Sequence, residues 1–225
     1  MRSRIFLALA VTMLGAARLD AQIVNGGFET PQPPAGQYTV FGAGSSFTGW
    51  NVVGIRSGNV AIVDQGYTSQ GFTWPSHSGS SWLDLTGSSN SATGVEQTIA
   101  TTLGTTYDLT FWVGNINAPN AALGTSSTAN VFIDGVQSYV ATNSGNAGSV
   151  QYWQQFTTSF VAAGSSTTIA FMNGDPFDDN TNGLDDVSVA AVSAAPEPAS
   201  MTLLATGLVG LCGVVRRKRR SVHSV

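Results

Sequence analysis

Thr106-Tyr107-Asp108-Leu109-Thr110-Phe111-Trp112-Val113 alternates without a break: Tyr107, Leu109, Phe111 and Val113 fall on one face of an extended chain, and Asp108, Thr110 and Trp112 on the other. A period of two belongs to a strand with one face on a core, the pattern of an antiparallel sheet. Comparable runs lie on both sides of it, at 60–63, 81–85, 95–100, 130–134, 152–161, 167–172 and 185–192, separated by Gly, Asn, Ser and Pro. No sustained helical stripe interrupts them. Eight short runs over about 170 residues predict an all-β fold, an antiparallel β-sandwich of jelly-roll kind. Ile133-Asp134-Gly135-Val136 is the expected tight hairpin, with Asp-Gly at its turn.

The chain of 225 residues has room for one such domain once its ends are set aside. Between residues 22 and 195 Arg56 is the sole basic residue against eleven acids, a net charge of −10. A body of that charge repels phosphate backbones, which argues against a nucleic-acid partner and favours cations. The single cysteine, Cys212, sits in the C-terminal apolar stretch, so no intramolecular disulfide can form. Stability must come from packing and, in an exported protein, from any metal the domain binds.

The ends read as targeting segments. Arg2 and Arg4, the apolar run that follows and the small residue Ala21 make residues 1–21 a secretory signal peptide. Residues 22–192 form the ectodomain, and 193–198 are a linker containing Pro196-Glu197-Pro198. The uncharged stretch 199–215 is long enough for one transmembrane helix, and the basic tail 216–225 begins Arg216-Arg217-Lys218-Arg219-Arg220. Positive charge directly after the span fixes the tail in the cytoplasm and the ectodomain outside.

Pro-Glu-Pro, an apolar helix and an arginine-rich end, in that order, closely resemble the PEP-CTERM sorting signal. The resemblance implies recognition by an exosortase-type enzyme, cutting near Pro196, Glu197 and Pro198, and passage from the inner membrane to the cell surface or an extracellular matrix rich in polysaccharide. In the ectodomain, Asn25-Gly26-Gly27-Phe28-Glu29 opens a series continued by Gly49-Trp50, Trp74-Pro75, Ser81-Trp82-Leu83-Asp84-Leu85 and Thr106 to Phe111, and closed by Leu184-Asp185-Asp186-Val187. This series looks like the choice-of-anchor C family and is similar to galactose-binding-like carbohydrate-binding modules. The likeness implies a galactose-binding-like sandwich with a structural calcium between first and last strands, at positions matched by Glu29 and Asp185.

Near the closing strand, Asp178, Asn180, Asn182 and Gly183 repeat oxygen-bearing residues at alternate positions before a glycine, a spacing that can wrap a hard cation. It departs from an EF-hand, because Val189 holds the twelfth position and no flanking helices are evident. For a ligand, Tyr67, Phe72 and Trp74 stand out: they occupy the long loop 65–80, away from any strand pattern, and amphipathic aromatic rings stack on sugar faces. Trp82, Trp112 and Trp153 lie in strand patterns and are expected in the core. Catalysis has little to stand on. The ectodomain has His77 as its single histidine and no lysine, cysteine or Gly-x-Ser-x-Gly motif, while Asp84 and Glu96 are a carboxylate pair of the kind any acidic protein offers. The expected function is a non-catalytic surface or matrix protein that associates with exopolysaccharide or envelope glycan. The alternatives are a matrix interaction protein with no sugar site and a glycoside hydrolase or lyase.

Overall fold

The computed structural model describes residues 22–117, 123–145, 148–176 and 181–192. The signal segment, the Pro-Glu-Pro linker, the stretch 199–215 and the basic tail lie outside the described residues, as do Asp178 and Asn180. Among the described residues no helix is long and apolar enough to cross a membrane.

Among the described residues fourteen strands run in the order β1 (Tyr38–Gly42), β2 (Ser46–Phe47), β3 (Trp50–Gly54), β4 (Asn59–Asp64), β5 (Thr68–Ser69), β6 (Phe72–Thr73), β7 (Ser81–Asp84), β8 (Thr93–Ala100), β9 (Thr106–Asn115), β10 (Ser127–Ile133), β11 (Val136–Asn143), β12 (Tyr152–Val161), β13 (Ser166–Asn173) and β14 (Gly183–Ala191). Twelve of them form two six-stranded sheets. The first has the order β1-β4-β7-β14-β9-β12 and the second β11-β10-β13-β8-β3-β2, while β5 and β6 make a small separate hairpin. Pairing within both sheets is antiparallel throughout.

The alternation at 106–113 has the consequence its period implies. Leu109, Phe111 and Val113 are fully buried and Tyr107 nearly so. They meet Val95, Val131, Ile169 and Phe171 from the second sheet in one apolar core. Phe111 and Phe171 touch edge to face across the two layers, with ring centroids 5.0 Å apart. Burying side chains of this size stabilises by about 1.5–3 kcal/mol each. The Asp134-Gly135 hairpin joins β10 to β11, and both residues have positive φ (49° and 79°), as a type I′ turn requires.

All eight predicted runs are strands. The sequence reading missed β1, β3, β11 and the two-residue strands β2, β5 and β6. β1 is an edge strand that leaves Tyr38 and Val40 exposed, so its alternation has no buried face to sharpen it.

The opening segment docks on the last strand. Gly26 O accepts a bond from Val187 N (2.9 Å), and a Cβ on Gly26 would lie 2.0 Å from Val187 O, so only glycine allows the approach. Phe28 is fully buried against Trp50, whose indole N–H donates to Asn25 O (3.0 Å). A bulge in β14 between Asp185 and Ser188, with Asp186 at φ 48°, interrupts its pairing with β9. Such bulges re-aim side chains at sheet surfaces.

Candidate functional site

The outward face of the first sheet is not left to solvent. Opposite the core-facing Ile62 and Leu83, the pairs Val63–Trp82 and Ala61–Asp84 put Trp82 and Asp84 on the outer side. The 65–80 loop folds down over them. Its carbonyls do the holding: Trp74 O accepts Trp82 Nε1–H (3.0 Å), and Pro75 O accepts Trp153 Nε1–H (3.0 Å) and Gln151 Nε2–H (3.3 Å). Two backbone bonds, Thr73 N to Ser149 O and Gln151 N to Thr73 O, tie the loop to the segment 149–151 that leads into β12. At the loop's start, Asp64 Oδ1 accepts Gly36 N and Gly66 N. Trp153 lies across a strip free of side chains, because Cβ atoms at Gly114 and Gly183 would each fall 2.9 Å from its ring. The result is a second apolar cluster of Ala61, Val63, Trp74, Trp82 and Ile116, with Tyr67, Phe72, Leu123 and Trp153 packed on it.

Between this loop and the sheet is a cavity of about 200 Å³. Its floor is Ala61, Val63 and Trp82. Tyr67 and Trp74 form one wall at 5.3 Å, Tyr38 stands edge-on to Tyr67 at 5.5 Å, and Asp84, Ser88 and Thr181 supply polar groups. Asp84 Oδ1 accepts Thr86 N (2.9 Å) and Thr86 Oγ1 (2.6 Å). Burial outweighs these bonds and pushes its carboxyl up to about 6. Thr181 Oγ1 is buried with no hydrogen-bond partner, a condition that costs free energy unless something else fills it.

The predicted ligand residues separate here. Tyr67 and Trp74 line the cavity, whereas Phe72 packs behind Trp74 at 6.0 Å and is not among the lining residues. Trp74 is only 7% exposed, so the loop aromatics serve structure as well. Trp82, Trp112 and Trp153 correct the expectation that strand tryptophans fill the sandwich core. All three stand on the outer face of the first sheet, Trp82 as cavity floor and Trp112 under the ring of His77 at 3.7 Å. Sequence reasoning passed over Tyr38 and Thr181 as site residues, and named Asp84 only in a carboxylate pair with Glu96. A signal for Asp84 existed in Ser81-Trp82-Leu83-Asp84, where a period of two puts the carboxylate beside Trp82.

A carboxylate clasp lies at the end of the same loop. Glu29 accepts Ser80 N (3.0 and 3.1 Å) and Ser80 Oγ (2.6 Å). Asp185, fully buried, accepts His77 N (2.9 Å), Ser78 N (3.3 Å) and Asp186 N (2.8 Å). Burial, then the charge of Asp186, pushes Asp185 up to about 8 in spite of these donors. His77 Nδ1 meets Asp186 Oδ2 at 2.5 Å, and Ser78 Oγ donates to Asp186 Oδ1 (2.7 Å). That is not a nucleophile arrangement, since the serine faces the carboxylate and not the imidazole.

Calcium takes six to eight oxygens. Among the described residues no three His, Cys, Asp or Glu side chains form a group that could hold a metal. Glu29 and Asp185 do come together beside Gly27, but their oxygens are turned to N–H and O–H donors, so as they stand they do not fit an ion cage. Asn182 does offer a free ligand atom: its Oδ1 is buried without a partner, while its Nδ2 donates to Thr128 O and Asn173 Oδ1. The carboxylate pair Asp84 and Glu96 is not brought together, as one stands on β7 of the first sheet and the other on β8 of the second.

The fold and site define a two-sheet antiparallel sandwich with an aromatic-roofed cavity on one outer face. Residues 21–190 match the family described as "Protein of unknown function (DUF642)", and the chain belongs to that family. Residues 194–220 match the PEP-CTERM protein-sorting motif. No curated protein matches the chain. Among solved structures it is similar to the sugar-binding C-terminal domain of EclA (18% identity, 42% of this chain and 64% of that one, TM-score 0.34). It is also similar to a family 35 carbohydrate-binding module from an environmental isolate (16%, 45% and 66%, TM-score 0.34). The CBM22-1 xylan-binding domain of Paenibacillus barcinonensis Xyn10C matches over 72% of this chain and 99% of its own length, at 17% identity and TM-score 0.40. The chain thus spans just under two thirds of the first two of these structures.

Proposed function

We propose that the protein is exported, sorted through its C-terminal motif, and binds glycan of the cell surface or extracellular matrix without acting on it chemically. The cavity under the 65–80 loop carries this reading. It joins aromatic walls, which take the apolar faces of a pyranose, to a carboxylate and a hydroxyl, which take its hydroxyl groups. Among the described lining residues Asp84 is the one carboxylate, and a glycoside hydrolase of the usual kind needs two. In this scheme the stretch 199–215 holds the protein in the inner membrane, basic tail inside, until an exosortase-type enzyme cuts near Pro196, Glu197 and Pro198. A structural calcium near the closing strand belongs to the same proposal. The unpartnered Asn182 Oδ1 supports it, and an ion that also recruited Glu29 or Asp185 would have to displace the donors of the 77–80 segment.

Affinity electrophoresis of the full chain through gels containing dextran, xylan, galactan or alginate tests the reading. Retardation by at least one polysaccharide, without release of reducing ends, is expected. No retardation by these or by isolated matrix polysaccharide would leave an interaction protein with no sugar site. Release of reducing ends would make it an enzyme.

A further inference from the structure

The cavity's dimensions and polarity say more than that a sugar fits. Its 200 Å³ falls below the ~300 Å³ at which sites for larger ligands begin. A single pyranose with its hydroxyls fits that volume. The strand register sets the length in the same way. Tyr38, Val63 and Trp82 share one row across β1, β4 and β7, and Ala61, Asp84 and Gly183 share the row two residues along, about 7 Å away. A single ring therefore spans from the aromatic row to the carboxylate.

The polar end is built, and part of it is unused. Thr181, 3% exposed, is among the residues lining the cavity that also holds Asp84, and its buried Oγ1 has no partner. Asp84 is held by Thr86 through Oδ1 and by the backbone of Asn182 and Gly87, and its half-buried carboxylate still lines the cavity. Charge restricts the occupant further. Eleven acids against Arg56 between residues 22 and 195 disfavour uronates and other anionic sugars, and Asp84 faces the ligand directly.

Resting on the glycan reading above, we infer that the cavity takes one terminal residue of a neutral glycan, its ring against the aromatic row and its hydroxyls on Asp84 and Thr181. The protein then recognises chain ends and not chain interiors. The number of binding sites on a polysaccharide scales with its ends, so branched or short-chain polymers hold more protein per mass than long linear ones.

Titration of the full chain, followed by its tryptophan fluorescence, tests this with methyl pyranosides of glucose, galactose and mannose and with their di-, tri- and tetrasaccharides. For the sugar that binds, the methyl glycoside should match the tetrasaccharide within about threefold in Kd, since only one residue is held. Asp84→Asn and Thr181→Val should each weaken binding about tenfold or more, and Thr181→Ser, which keeps the hydroxyl, should restore it. Affinity that climbs with every added residue while the methyl glycoside is inert would overturn chain-end recognition and leave the glycan reading standing. Wild-type affinity in both Asp84→Asn and Thr181→Val would overturn the placement in this cavity. No binding of any saccharide by the folded wild type would overturn both readings.

Discussion

Replacing Asp84 by Asn should make the protein more stable and more so as pH rises. Burial moves the Asp84 carboxyl from its ordinary 3.8 to about 6. Below 3.8 both folded and unfolded chains carry the proton, and the group costs nothing. Between 3.8 and 6 the folded chain holds a proton that the unfolded chain has released, so wild-type stability falls as pH climbs through this window and stays lower above it. At 1.36 kcal/mol per pH unit the gap is worth about 3 kcal/mol, and water at the cavity mouth reduces this to about 1–3 kcal/mol. Asn keeps the oxygen that accepts the two bonds from Thr86 and cannot ionise. Thermal melts of wild type and Asp84→Asn at pH 4, 5, 6 and 7.5 measure the difference, and the other acids titrate in both proteins and cancel. For a domain of this size the gain in melting temperature should grow by roughly 2–12 °C between the lowest and highest pH. A difference that is the same at every pH would refute the argument that Asp84 is a buried charge. Keeping a costly carboxylate at a cavity wall is the exchange of stability for function expected of a binding site.

Tyr67→Ala should lower glycan affinity about two- to twelvefold, the equivalent of ~0.5–1.5 kcal/mol for one aromatic contact, with a small loss of stability read from a parallel melt. Trp74→Ala should instead cost about 3–5 kcal/mol of stability, because that ring is 7% exposed, so denaturation is the measurement for it. Metal-stripped protein should melt higher in millimolar calcium and lower in chelator, by about 2.7 kcal/mol at a hundredfold excess over Kd, and Asn182→Ala should abolish the response. Indifference to both reagents would make 178–183 a solvated loop. Mass spectrometry of surface-exposed protein should find a chain beginning after Ala21 and ending near Pro196 to Pro198, and recovery with Arg216 to Arg220 attached would contradict exosortase processing.

What could be read from the residues follows from where the physical signal lies. The strand at 106–113 was legible because its two faces differ in polarity, and the Asp134-Gly135 turn because its two positive φ angles favour those residue types. β1 was not legible: its alternate residues are half-buried or exposed, so the sequence carries no contrast. Tyr67 and Trp74 could be picked from the loop by chemistry. That the loop closes onto the sheet could not be foreseen, because it is held by the carbonyls of Trp74 and Pro75, which every residue possesses, accepting from indoles up to 78 positions away. The meeting of Glu29 with Asp185 came from the resemblance alone, and their occupation by backbone donors of residues 77, 78 and 80 needed coordinates.

The central claim is that the cavity beneath the 65–80 loop holds glycan, and one paired measurement tests it most directly: a glycan array probed with the full chain and with its Asp84→Asn variant at pH 7.5. The wild type should bind at least one neutral, non-anionic glycan, and the variant, equally folded and no less stable, should lose about tenfold or more of that affinity. A wild type that binds nothing, or a variant that binds the same glycan as tightly, would contradict the account.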